Sequence, residues 1–244
     1  MKVNLLGASI DGIDMQETVK RVAGFVKSGK PHLIITLNPE YLFRAQFQPR
    51  LMEVVNRADL VTPDGVGIVW ACEVAKHPVP ERVTGIDLML SLVERAAREG
   101  WRVFLLGSAP GVAAEAAQKL IEKHPGLQVA GTHHGYFAPE EEPEVLEKIK
   151  GARPDLLFVA LGAPRQELWI EANRQTLGVP VAMGVGGSFD VIAGRVPRAP
   201  LWLQRLKLEW LGRLIKEPRR WRRMLVLPKF AWMVIKRYKL LKST

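Results

Sequence analysis

The chain of 244 residues carries a net charge of +10 and one cysteine, Cys72, so an intrachain disulfide is excluded and a reducing compartment is expected. Its length suits one large domain, or a domain with an appendage, with no need of covalent staples. No run of 18 apolar residues offers a bilayer span, and the opening MKVNLLGASIDGID lacks the apolar segment of a secretory signal.

The charge is unevenly spread. Residues 195–244 hold 15 Lys and Arg against 2 Asp and Glu, whereas residues 1–194 hold 20 against 23. Four of the seven tryptophans (Trp202, Trp210, Trp221 and Trp232) also fall after residue 194. The sequence therefore predicts a slightly acidic body, 1–194, and a basic, Trp-rich appendage, 195–244, with an anionic partner for the appendage.

In chain order, Asp14 with Glu17 resembles a capping box ahead of a helix over 15–27. HLIITL (32–37) reads as a strand and runs into TLNPE (36–40). DLVTP (59–63) reads as a second, running into TPDGVG (62–67). VGIVWACEV is an apolar helical stretch, which makes Cys72 a core residue. After a loop with Arg82, GIDLMLSLVERAAREG is a helix that ends at Gly100. RVFLLG (102–107) is a strand, followed by GSAPG (107–111) and a helix with Pro110 in its first turn. LQVAGT (127–132) is another strand. His133 and His134 after it should point to opposite faces and serve poorly as ligands of one metal. PEEEPEVLEKIK sets its acids at a helix start, where the dipole favours them. DLLFVALG (155–162) and VPVAMGVGG (179–187) are the last two strands, followed by GAPRQE (162–167) and GVGGSFD (184–190). Strands of which several are apolar throughout, alternating with helices, predict an α/β fold with a mainly parallel, Rossmann-like sheet flanked by helices. Strand order is not legible.

In open α/β sheets, ligands bind beyond the carboxyl ends of the strands. Here those ends are rich in glycine and lead into helices, an arrangement that suits phosphate. GSAPG, with Gly107 and Ser108, is either a phosphate turn or an ordinary strand–helix turn; it is neither GxGxxG nor a P-loop. GVGGSFD, with Gly186, Gly187 and Ser188 before Asp190, has more glycine than a structural turn needs, which favours ligand contact. Asp64 and Gly65 are standard turn chemistry or a functional carboxylate at a strand end. Thr36 and Asn38 are helix caps or pocket residues. Arg82 is a solvated loop cation or a phosphate partner. Helix solubility accounts for Glu167 but not for Gln166. With no CxxC, HExxH or Asp-x-Asp, a metal-independent site is expected.

These motifs together, TLNPE, TPDGVGIVWA, PERVTGIDLM, VFLLGSAPGV, GTHHGYF, LFVALGAPRQE and GVGGSFDVIAG, resemble the WecG/TagA/CpsF glycosyltransferases in order and spacing. The similarity runs from residue 1 into the tail and is nearest to the branch that acts in teichoic-acid synthesis. It implies transfer of N-acetylmannosamine from its UDP form to the 4-hydroxyl of GlcNAc on undecaprenyl diphosphate, with inversion and without cofactor. On this resemblance Asp64 is the catalytic base, Thr36, Asn38, Arg82 and Gln166 share its pocket, and Gly65, Gly107, Ser108, Gly162, Gly186, Gly187, Ser188 and Asp190 contact substrate. Arg213, Arg220 and Arg223 match arginines of an appendage linked to membrane association and to completion of the site. The expected partners are a UDP-sugar donor, a lipid-linked diphosphate acceptor and an anionic membrane surface, with no nucleic acid. The expected location is cytoplasmic, peripheral on the inner face of the cell membrane. Nothing in the sequence speaks to oligomeric state.

The tail's residues agree with this expectation. Leu203, Leu206, Trp210 and Leu214 recur at helical spacing, and Pro218 and Pro228 divide the tail into short helices. Basic residues with Trp at the margins describe an interfacial segment, or helices that simply pack on the body. Two other classes are weighed against the transferase. An oxidoreductase would carry GxGxxG with an acid about 20 residues on, and neither is present. A nucleic-acid-binding module would use the tail's interleaved Arg and Trp; capture by liposomes or by single-stranded oligonucleotides separates it from the membrane reading.

Overall fold

The computed structural model of the chain describes residues 2–200, 203 and 224–239. Six parallel strands form one sheet: β3 (His32–Leu37), β4 (Leu60–Pro63), β5 (Arg102–Gly107), β6 (Gln128–His133), β7 (Leu156–Ala160) and β8 (Val181–Gly184). Their spatial order is β4-β3-β8-β7-β5-β6. The chain thus builds one side of the sheet, crosses to build the other, and returns with β7 and β8 to fill the middle.

The inner strands are largely apolar because both faces are covered, whereas the edge strand β6 carries Gln128, Thr132 and His133 and is only partly buried. Leu33, Ile35 and Leu37 of β3, Phe104 and Leu106 of β5, and Leu157 and Val159 of β7 face one apolar cluster. The alternate residues Ile34, Val103, Leu105 and Phe158 face the other. Phe104 and Phe158 are fully buried, one in each cluster, and burial of such a side chain contributes about 1.5–3 kcal/mol. The first cluster is closed by α2 (Pro39–Ala45), α3 (Pro49–Arg57), α4 (Val66–Val74), α7 (Glu142–Ala152) and α8 (Arg165–Leu177). The second is closed by α1 (Met15–Ser28), α5 (Gly85–Glu99), α6 (Val112–Lys123) and the short α9 (Ser188–Ile192). Cys72 is a core residue, as expected. Burial, aided by the charge of Glu73, pushes its thiol up to about 11.

Three local expectations change. An antiparallel hairpin of β1 (Lys2–Leu5) and β2 (Ala8–Asp11) precedes the first predicted strand. Its alternate residues Val3, Leu5, Ala8 and Ile10 join the first cluster. Helix α6 starts at Val112 behind the cap Gly111, so Pro110 lies before the helix rather than in its first turn. His133 ends β6, so strand alternation does not carry on to His134, and the two rings lie 4.5 Å apart. By contrast, Asp14 caps α1 as expected, accepting from the Glu17 N–H at 2.8 Å.

Where the appendage begins, it is tied to the body. Arg195 donates twice to Glu115, at 2.6 and 2.9 Å, and Arg198 donates to Asp87 Oδ1 at 2.7 Å. Its last described helix, α10 (Val226–Tyr238), carries Pro228 in its first turn. It packs on α2 and α4 through buried Phe230 and Val234, and the Tyr238 hydroxyl accepts from the Leu6 N–H at 2.9 Å. Its other face holds Trp232, 61% exposed, with the Lys236 ammonium 5.0 Å from the ring centre. Among the described residues no helix is long and apolar enough to cross a membrane. Arg213, Arg220, Arg223 and the apolar stripe beyond Leu203 lie outside the described residues.

Candidate active site

The carboxyl ends of the strands form two adjoining cavities. The first, about 380 Å³, lies beyond β3, β4 and β8. It brings together Thr36, Asn38, Asp64, Arg82 and Gln166, which are far apart in sequence. The second, about 700 Å³, lies beyond β5, β6 and β7 and holds Ser108, Arg165 and Asp190. Both volumes fall in the range of small-ligand sites. Gly162, Gly186 and Gly187 border both cavities.

In the first cavity Asp64 follows β4 directly. Its Oδ2 accepts the N–H of Gly85 at 3.3 Å. That N–H is the first of α5, one of the donors a helix leaves unsatisfied at its start. Thr84 caps the same helix, with its hydroxyl donating to Asp87 Oδ2 at 2.5 Å. Asp87, which engages the Thr84 cap, also holds Arg198, so the start of the appendage is tied to the helix that donates to Asp64. Asn38 is both a cap and a pocket residue: its Oδ1 accepts from the Tyr41 N–H at 2.9 Å at the start of α2. Thr36 pairs across the sheet with Thr62. Arg82 is half-buried rather than a fully solvated loop cation.

Gln166 is 4% exposed, with its amide fixed at both ends. Its Oε1 accepts the Gly186 N–H at 3.0 Å, and its Nε2 donates to Glu167 Oε1 at 2.7 Å. A Cβ on Gly184 would lie 2.5 Å from that Nε2, so the end of β8 must be glycine for the amide to sit there. Glu167 overturns the solubility reading: it is 3% exposed and lines the cavity. Burial pushes its carboxyl up to about 7, against a smaller opposing effect of the Gln166 hydrogen bond. Burial, reinforced by the Glu167 charge, also pushes the Tyr41 phenol upward.

In the second cavity the Ser108 hydroxyl donates to Asp190 Oδ2 at 3.0 Å, joining residues 82 apart in the chain. The exposed Arg165 stands at its edge, 5.9 Å from the ring centre of Phe137. Ser188 lines the first cavity, but its hydroxyl is engaged with the Val185 carbonyl at 2.6 Å. Gly65 lines the first cavity and begins α4. Gly107 lines neither cavity. Its φ is 131°, and a Cβ there would meet the Ala160 backbone at 2.5 Å, so β5–β7 packing accounts for it.

Two wall residues lie outside the strand-end motifs. Met224 and Leu227, from the appendage, line the first cavity beside Asp64 and Arg82. Among the described residues no group of three His, Cys, Asp or Glu side chains is arranged to hold a metal ion.

The arrangement unites a carboxylate, an arginine, amide and hydroxyl groups and backbone N–H donors around one cleft. Comparison with known proteins gives it a family. The profile of the Glycosyl transferase WecG/TagA/CpsF family matches residues 3–244. The chain is 41% identical over 212 residues to an N-acetylglucosaminyldiphosphoundecaprenol N-acetyl-beta-D-mannosaminyltransferase of Bacillus spizizenii, covering 87% of this chain and 82% of that protein. It is 38% identical over 207 residues to the Bacillus subtilis protein of that name, covering 85% and 80%. With a Staphylococcus aureus protein of the same name, identity is 34% over 244 residues, covering 99% and 95%. On this profile and these identities, the chain belongs to the WecG/TagA/CpsF family of glycosyltransferases.

Proposed function

We propose that the protein transfers N-acetylmannosamine from UDP-N-acetylmannosamine to the 4-hydroxyl of GlcNAc on undecaprenyl diphosphate, forming a β linkage without a metal. The names of its relatives support the sugar and the acceptor. The observation that carries the chemistry is the convergence of Asp64 with Thr36, Asn38, Arg82 and Gln166 in one cavity that adjoins a second one.

A sugar hydroxyl is a weak nucleophile until its proton is taken. Asp64 accepts that proton as O4 of the acceptor attacks C1 of the donor from the face opposite the diphosphate. The C1–O bond breaks, its electron pair leaves with UDP, and the anomeric centre inverts. Help of this kind from a positioned carboxylate contributes roughly 10²–10⁴-fold. The charge developing on UDP is met by Arg82 and Arg165, with glycine N–H groups and the appendage arginines Arg213, Arg220 and Arg223. The body, 1–194, is then the catalytic domain. The appendage, 195–244, is both a wall of the site and a membrane-docking element, since its acceptor stays in a bilayer. The exposed Trp232 with Lys236 beside it, and the placement of Met224 and Leu227 on the cavity wall, support this dual role.

The test is transfer by Asp64→Asn, using a soluble GlcNAc-diphospholipid acceptor and a panel of UDP-sugars. The variant should fold and bind UDP but lose most turnover; turnover near wild type removes Asp64 as the base. Preference for another UDP-sugar would keep the fold and acceptor class and replace the donor.

A further inference from the structure

A buried acid that the sequence assigns to a helix surface calls for an explanation. Glu167 Oε2 is sealed from solvent and has no hydrogen-bond partner among the described residues. Leaving such an oxygen unsatisfied is costly. What the residue does contribute is its other oxygen, which takes an amide proton of Gln166 at 2.7 Å. The Gly186 N–H holds the opposite end of the same amide at 3.0 Å. Reversing oxygen and nitrogen would set the NH₂ against a backbone donor and the carbonyl against a carboxyl oxygen. The amide therefore has one stable orientation. Of its two N–H groups one is consumed by Glu167, and no acceptor for the other is found among the described residues, while Gln166 lines the cavity.

We propose that Glu167 is a positioning residue of the transfer reaction, fixing the Gln166 amide so that one N–H is presented to the bound sugar or its diphosphate. This rests on the reading that Gln166 meets substrate. Oε1 can accept from the amide when the carboxyl is charged, and equally when it is neutral with its proton on Oε2. Tyr41, the neighbouring phenol, is itself buried and unpartnered among the described residues, so it offers no alternative acceptor fixed on the amide.

The experiment compares wild type with Q166A, E167Q, E167M and the double variant Q166A/E167M, measuring kcat and KM with the soluble acceptor and Tm for folding. Glu167→Met keeps the volume and removes the acceptor; Glu167→Gln keeps an acceptor oxygen. Loss of one such hydrogen bond in the transition state corresponds to about tenfold in rate. E167M should therefore lose about tenfold in kcat, E167Q less than about threefold, and E167M should add nothing in the Q166A background. Full activity in E167M, equal impairment in E167Q, or the same loss from E167M with and without Gln166 would each overturn the proposal. Full activity in Q166A would instead remove the substrate contact on which the proposal rests, and the proposal with it. A readout on the unaltered protein is the exchange of the two Gln166 side-chain amide protons in the absence of ligand, assigned by their disappearance in Q166A. One should exchange slowly and one fast; two fast protons contradict the clamp whatever the variants do.

Discussion

Replacing Glu167 with glutamine should change how stability depends on pH. The carboxyl titrates near 4.5 when exposed and at about 7 in the folded protein, because burial disfavours its charged form. Between those values the folded state holds a proton that the unfolded state has released. Stability therefore falls as pH rises through this window, flat below 4.5 and flat again above 7. The two values convert to about 3 kcal/mol over the window, a large share of the roughly 5–15 kcal/mol that holds a domain together. Glu167→Gln cannot titrate, so this slope disappears. Denaturant unfolding of both proteins, followed by tryptophan fluorescence at several pH values from below 4.5 to above 7, yields the difference in unfolding free energy. The variant should gain on the wild type by about 3 kcal/mol from the acid to the alkaline end. Parallel curves, with a constant offset, would refute the claim that Glu167 is a buried acid with a raised pKa.

Gly184→Ala should leave the fold intact yet cut transfer by about tenfold or more, because its Cβ would occupy the place of the Gln166 amide; steady-state kinetics beside a melting curve separate the two effects. Gly107→Ala should instead destabilise the protein by about 3 kcal/mol or more, since the atoms in its way are backbone and its φ is left-handed; a melting temperature within a degree or so of wild type would contradict this. Treatment with EDTA should leave turnover unchanged, and loss restored by Mg²⁺ or Mn²⁺ would show a metal in the reaction. Removing residues 195–244 should abolish transfer even to a water-soluble acceptor, since Met224 and Leu227 line the cavity; unchanged turnover with weaker liposome binding would reduce the appendage to an anchor.

Much of this architecture is legible in the sequence because parallel strands write themselves as short apolar runs that end in glycine. HLIITL and RVFLLG needed no tertiary information, and the rule that ligands gather at carboxyl ends then points to Asp64, Asn38 and Gln166. The hairpin KVNL–ASID was not read from the sequence, because each strand is only four residues long, too short for alternation to stand out. Glu167 was not visible. An acid in the first turn of a helix is ordinarily solvated and favoured by the dipole. Here the bare backbone at Gly184 lets that turn sink against β8, a fact about two segments and not about one. Met224 and Leu227 were hidden for a similar reason: an apolar residue in a basic tail is as consistent with lipid contact as with a pocket wall. Strand order lies wholly outside local pattern, because crossover lengths alone do not say which neighbour a strand joins.

The ridge at Gly162, Gly186 and Gly187 has a consequence for inhibitor chemistry. All three residues line both cavities, and none of them carries a side chain whose rotamer could narrow the space there. A two-headed compound, with one group seated by Asp64 and the other by Ser108, would have to cross there. Its linker should be slim, because the residues shared by the two cavities there present main chain and not a side chain that could swing away. Resistance by substitution at any of these three glycines would put a side chain into the lining of both cavities at once.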